Sequence, residues 1–174
     1  MKAKKVFESL DILRPKSDDE IKKELNNLSP GDLLINASEI GFIECVKLAL
    51  ERGADIHIDR NEAIVIASEK GHIEIVKLLI NKGANIHIDN DYPLQRAALN
   101  GHDKVVKLLL NSGADVHTNN DAALKWASNN GHIETVKILL NAGADVHAND
   151  DDALRWASRY GHTEIVNLLK KYSK

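Results

Sequence analysis

The chain has 174 residues, 43% of them hydrophobic but only 4% aromatic, with a formal net charge of −3 and a single cysteine. A core is affordable, and Ala, Val, Ile and Leu must build it. The charge argues against a nucleic-acid or anionic-membrane partner, which needs a basic excess. The lone Cys45 excludes an internal disulfide and a zinc knuckle.

Residues 1–31 carry no clear repeat. Met1 to Lys5 is basic, but Val6-Phe7-Glu8-Ser9-Leu10-Asp11 is too short and too charged for a signal-peptide core. No apolar run approaches the roughly 20 residues that span a bilayer. The expectation is an intracellular, cytoplasmic, soluble protein. Ser17-Asp18-Asp19-Glu20 reads as a capping box, followed by Ile21, Leu25 and Leu28 at helical spacing, and Ser29-Pro30-Gly31 stops that helix. The segment is expected to cap the first repeat, since a stacked array needs a polar end. A docking helix for a partner or membrane is the sharper alternative.

From there a 30-residue period governs the chain. Gly-His recurs at Gly71-His72, Gly101-His102, Gly131-His132 and Gly161-His162, with Gly41-Phe42 one period earlier. Gly-Ala recurs at 53, 83, 113 and 143 with the same spacing. A period of this size marks a repeat array, in which each unit buries its apolar face only against its neighbours. Gly113-Ala114-Asp115-Val116-His117 comes after a helix end, where glycine supplies a left-handed residue. Thr118-Asn119-Asn120-Asp121 is a polar turn able to cap the next helix. Ala122 to Asn130 and His132 to Asn141 read as two short helices, the second with Ile133, Val136, Ile138, Leu139 and Leu140 on a broad apolar face. Five helix pairs are predicted, near 32–51, 62–81, 92–111, 122–141 and 152–171. Pro93 agrees, because proline is tolerated in the first turn of a helix. Lys170, Lys171 and Lys174 suit the C-terminal dipole of the last helix.

These units resemble ankyrin repeats. The phrases that carry the resemblance are Gly83-Ala84-Asn85-Ile86, Gly113-Ala114-Asp115-Val116, Gly101-His102-Asp103-Lys104-Val105-Val106-Lys107-Leu108-Leu109-Leu110 and Tyr92-Pro93-Leu94-Gln95-Arg96-Ala97-Ala98, over roughly residues 32–174. The resemblance implies an all-α solenoid with a concave face of loops and first helices that binds other proteins. The period is shorter than the family's 33 or so, so the projecting β-hairpin is expected to be trimmed. The family's Thr-Pro-Leu-His is replaced by Ala122-Ala123-Leu124-Lys125 and Asp152-Ala153-Leu154-Arg155, and His57, His87, His117 and His147 stand where the family usually has Asn. The Asn- and Asp-rich unit with Ala-Leu-Lys-Trp-Ala-Ser is similar to ankyrin arrays of giant viruses.

No chemistry stands out. The eight histidines lie on two ladders, one of each per unit, and a ladder with neighbours 8–10 Å apart does not converge on a metal. Asp150-Asp151-Asp152 lacks the EF-hand pattern. No phosphate loop or Ser/His/Asp signature is present, so no enzyme and no cofactor is expected. Cys45 sits in the slot of Ile75, Val105, Thr135 and Ile165 and reads as an inert core residue. Lys77, Lys107 and Lys137 read as a solvated face of the second helices.

Comparing unit with unit separates positions that serve the stack from positions that do not. Ala37, Ala67, Ala97, Ala127 and Ala157 stay fixed, as do Val46, Val76, Val106, Val136 and Val166; these are expected core. The columns Val65/Gln95/Lys125/Arg155 and Asn36/Ile66/Arg96/Trp126/Trp156 vary, as do the pairs before Gly-His and the turn positions Arg60, Tyr92 and Asp152. The resemblance implies that this side, of turns and first helices, is the partner surface, so the candidate partner-binding set is Tyr92, Arg96, Lys125, Trp126, Arg155, Trp156, Arg159 and Tyr160, rich in the Trp, Tyr and Arg that dominate interface hot spots. For Trp126 and Trp156, core packing between the helices is the competing and favoured reading. The expected function is a non-catalytic, monomeric protein-binding module with a protein partner and neither nucleic acid nor membrane. A self-associating scaffold using the N-terminal segment is the alternative.

Overall fold

A computed structural model describes residues 27–173, which form ten helices; among the described residues there is no strand. The first helices of the five units are α1 (Pro30–Ile40), α3 (Ile58–Lys70), α5 (Ile88–Leu99), α7 (Thr118–Asn129) and α9 (Ala148–Arg159). The second helices are α2 (Ile43–Glu51), α4 (Ile73–Asn81), α6 (Asp103–Asn111), α8 (Ile133–Asn141) and α10 (Thr163–Tyr172). Each helix packs on its partner within the unit and on its counterpart in the next unit. First helices lie closer together than second helices do. Such unequal spacing bends a stack towards its first-helix row.

The core runs unbroken through the array. Leu34, Ile64 and Leu94 are fully buried and Leu124 nearly so, with the alanine column at 37, 67, 97, 127 and 157 between them. Alanine here lets neighbouring helices approach closely. Val46, Val76, Val106 and Val136 are fully buried too, whereas Val166, in the last unit, is half-buried.

The start differs from the sequence reading. Ser29-Pro30-Gly31 opens α1 rather than merely ending an earlier helix: the Ser29 hydroxyl accepts the Asp32 N–H at 3.1 Å, and Pro30 occupies the first turn. The helical array therefore begins at Pro30, two residues before the expected 32. The capping box at Ser17 and the rest of the expected N-terminal cap up to residue 26 lie outside the described residues.

Two devices set the 30-residue period. The first replaces a hairpin. Three consecutive residues in each connecting segment are left-handed: Asp59-Arg60-Asn61, Asp89-Asn90-Asp91, Asn119-Asn120-Asp121 and Asn149-Asp150-Asp151, with φ from 46° to 62°. Regular helical geometry starts only after them, near 62, 92, 122 and 152. Asn and Asp tolerate this conformation best among residues with a side chain, which accounts for their density there. The expected turn is present, but its residues reverse the chain by a left-handed twist instead of capping the helix from solvent.

The second device is the Gly-His pair. Gly71 ends α3 at φ +77°, and the His72 N–H then turns back to the Ala67 carbonyl at 2.9 Å. The ring of His102, one unit on, lies over Gly71, so that a Cβ there would sit 2.5 Å from Nδ1. Its Nε2 donates to the Glu69 carbonyl at 2.8 Å, an orphan acceptor at the end of α3. The same bond joins His72 to Glu39, His132 to Leu99 and His162 to Asn129. Each histidine thus caps the first helix of the unit before it.

The other histidine ladder is local. Nδ1 of His57, His87, His117 and His147 faces the side-chain oxygen four residues on, in Asn61, Asp91, Asp121 and Asp151, at 2.7–3.1 Å. Asn61 and Asp121 are buried, and their Oδ1 atoms also accept the backbone N–H of Asn85 and Asp145 of the next unit. At Asn61, Asp91 and Asp121, which are buried, histidine in this column supplies a donor to an acceptor that would otherwise be only partly satisfied; Asp151, in the last unit, is half-exposed.

Candidate interaction surface

Residues at the first, fifth and ninth helical positions of the first helices share one face, because four residues advance a helix by just over one turn. In the last three units that face carries Tyr92 and Arg96, then Trp126, then Trp156 and Tyr160. Tyr92 is 38%, Trp126 36% and Tyr160 54% exposed, values out of keeping with core packing. The core reading is therefore wrong for Trp126, and Trp156 is half-buried rather than enclosed. The column that holds both indoles, at 36, 66, 96, 126 and 156, is fully buried in none of the five units.

The cations are held against these rings. Lys125 Nζ lies 4.8 Å from the Trp126 ring centre, Arg159 lies 5.4 Å from that of Trp156, and Arg96 5.6 Å from that of Tyr92. Trp156 and Tyr160 stack with centroids 5.9 Å apart and planes inclined by 11°. Asp152 ties the last two units together: one of its oxygens is 3.6 Å from Lys125 Nζ and the other accepts from Arg155. Hydrogen bonds from Arg155 first and Asn149 next, with the Lys125 charge adding to them, hold its carboxyl below the usual carboxylate range against the opposing effect of burial.

The structure thus brings Lys125, Trp126, Arg155, Trp156, Arg159 and Tyr160 together on units four and five. Tyr92 and Arg96 form a separate pair, with Arg96 turned back to Glu69 through bonds of 2.9 and 2.6 Å. Not every varying position is surface. Gln95 is buried and donates to the Asn90 carbonyl at 2.7 Å, and Asp152 is buried as the anchor of Lys125 and Arg155. Arg60 is exposed and paired with Asp89 at 2.5 Å. Glu69 and Asp152 are the residues sequence reasoning missed as positioning groups. The signal for both is an acid one unit or one turn away from a candidate cation.

Elsewhere the side chains are engaged or dispersed. A backbone carbonyl only accepts, so Nε2 of His72, His102, His132 and His162 carries a proton and offers no lone pair to a metal. Among the described residues no group of three or more His, Cys, Asp or Glu could hold a metal ion. Cys45 is half-buried against the core, not enclosed; burial, helped by the Glu44 charge, pushes its thiol up, which disfavours the nucleophilic thiolate. Lys77 and Lys107 are exposed, and Lys137 is half-buried and paired with Glu134 at 2.6 Å. Among the described residues no helix is long and apolar enough to cross a membrane.

A stack of paired helices with an exposed row of first helices is the architecture of a helical repeat protein. The family model described as ankyrin repeats (3 copies) matches residues 33–120 and 94–174, and the chain belongs to that family. No curated protein matches the chain. Ankyrin repeats are in general protein–protein interaction modules and in general non-enzymatic.

Proposed function

We propose that this chain is a non-catalytic docking module that captures another protein on the exposed side of its first helices, the inner side of the curve. Lys125, Trp126, Arg155, Trp156, Arg159 and Tyr160 form the centre of that surface, and Tyr92 with Arg96 its flank. The observation that carries the reading is the coincidence of exposed aromatic rings with cations already fixed against them. Rings and guanidinium groups held in place before contact lose little rotamer freedom on binding. Large aromatic and arginine side chains near the centre of an interface supply most of its affinity. A stable complex here would bury about 1,200–2,000 Å² in total.

The test is affinity capture from lysates with the full chain and with the triple variant R155A/R159A/Y160A, partners being identified by mass spectrometry. The expected result is a protein retained by the first and lost from the second, with identical helical circular dichroism. Retention of the same proteins by both would remove this surface from consideration.

A further inference from the structure

We propose that the pocket between Arg155 and Arg159 receives carboxylate side chains, so that the partner docks through an acidic segment of its chain. The inference rests on the docking function proposed for this surface and names the chemistry of the partner. The pocket has a volume of about 300 Å³ and is lined by Asp152, Arg155, Trp156 and Arg159. That is roughly ten times the share of liquid volume held by one water, room for a side chain and not for a folded element.

Its charge is unbalanced. Asp152 is shared between Arg155 and Lys125, so one carboxylate serves two cations. Arg159 lies on the Trp156 ring, and among the described residues no carboxylate stands within ion-pair distance of it. Arg155 and Arg159 on the lining and Lys125 beside it face one anion, which leaves a local excess of positive charge in a chain whose overall charge is −3. Arg155 and Arg159 are one helical turn apart on α9, so both guanidinium groups can reach the same ligand. The planar fork of a guanidinium matches a carboxylate with two parallel hydrogen bonds. Trp156, with Tyr160 stacked on it, supplies an apolar wall on which those bonds are less exposed to water and weigh more.

The surroundings favour a short acidic segment over a long polyanion. The left-handed tips beside the first helices carry exposed Asp59 and Asp150, and Asp89 whose charge Arg60 balances; the first two repel a nucleic-acid backbone laid along the row. An acidic peptide touching only units four and five meets Asp150 alone of that pair.

The test uses the full chain and three labelled probes, read by fluorescence anisotropy. One is a peptide of repeated Glu-Glu-Leu, the second its Gln-Gln-Leu counterpart, the third a single-stranded oligonucleotide of similar length. The expected result is binding of the glutamate peptide at least about tenfold tighter than the glutamine peptide, weakening as salt rises. R155Q and R159Q should each weaken it by about tenfold, the factor a hydrogen bond to a charged group carries. K77Q, on the second helices, should leave it unchanged, and urea midpoints should confirm that all variants fold. Equal affinity for the two peptides, no binding of the glutamate peptide, indifference to R155Q and R159Q, or preference for the oligonucleotide would each overturn the proposal. A captured protein that is lost with Y160A yet ignores R159Q and salt would end this inference while keeping the docking surface. Capture that ignores every one of these substitutions would end both.

Discussion

Substituting Gly71 separates two costs that usually arrive together. Gly71 has φ +77°, and its Cβ would meet the His102 ring at 2.5–2.8 Å. Gly83 has φ +93°, and nothing lies within 4 Å of its Cβ. Both Gly71→Ala and Gly83→Ala force an alanine into left-handed backbone, which costs about 1–2 kcal/mol. Gly71→Ala must in addition push the imidazole away and break its 2.8 Å bond to the Glu69 carbonyl. A buried hydrogen bond lost with its acceptor stranded adds about 1–3 kcal/mol. The expected totals are therefore about 3 kcal/mol for Gly71→Ala and about 1.5 kcal/mol for Gly83→Ala. Urea denaturation tracked by circular dichroism measures both, provided the slope is unchanged. The decisive arm is a double-mutant cycle with His102→Ala. Once the ring is gone, Gly71→Ala should cost no more than Gly83→Ala. Strictly additive effects, or equal costs for the two glycines in the native background, would refute the idea that one unit's glycine makes room for the next unit's histidine.

Particular side chains lead to three other expected outcomes. Ser38, Ser68 and Ser128 are fully buried with hydroxyls that meet no hydrogen-bond partner, and Ala98 fills the same column in unit three. Ser128→Ala should hence raise stability by about 0.5–1 kcal/mol; a loss of that size in thermal or urea melts would reveal an unseen partner. The Cys45 thiol is pushed up by burial and by Glu44, so at neutral pH it should react with a disulfide reagent more slowly than free glutathione, and at the same rate once the chain is unfolded in urea. The Asp152 carboxyl is held low by Arg155 and Asn149 in the folded state. A depressed carboxylate contributes stability that is fully present above its unfolded value, about 3.9, and fades as pH falls through the lower folded value. Asp152→Asn should lower stability at neutral pH and flatten the decline below pH ~4; parallel profiles for the two proteins would contradict that origin.

Much of the fold was legible because the repeats align the chain with itself. The glycines at 71, 101, 131 and 161 mark helix ends in left-handed backbone, and the helix starts near 62, 92, 122 and 152 come from the same register. For the Gly-His ladder, packing or a hydrogen bond at the start of each second helix was legible, but not that the bond reaches the preceding unit. A ring that spans from one unit to the carbonyl of another leaves no trace in local spacing, since 33 residues separate His102 from Glu69. The left-handed triplets were half legible: runs of Asn and Asp announce a turn, but Arg60 in the first of them has no such preference, and its conformation is imposed by its neighbours. At the surface, the varying columns did not tell exposed positions from buried ones. Gln95 and Asp152 vary as freely as Arg159 and are nonetheless buried, because a position can change between units whenever each new side chain finds its own local partner.

The glycine of one unit and the histidine of the next also decide how such a chain can change length. Excising residues 102–131 would join Gly101 to His132, restoring the dipeptide at the seam and offering His132 to Gly71 in place of His102. An insertion or loss of a single residue within a unit would disturb the ring and socket that span it, while the pairs further along keep their spacing. Whole modules can be copied or dropped without penalty at the join, so a lineage carrying this architecture evolves its reach in steps of thirty residues.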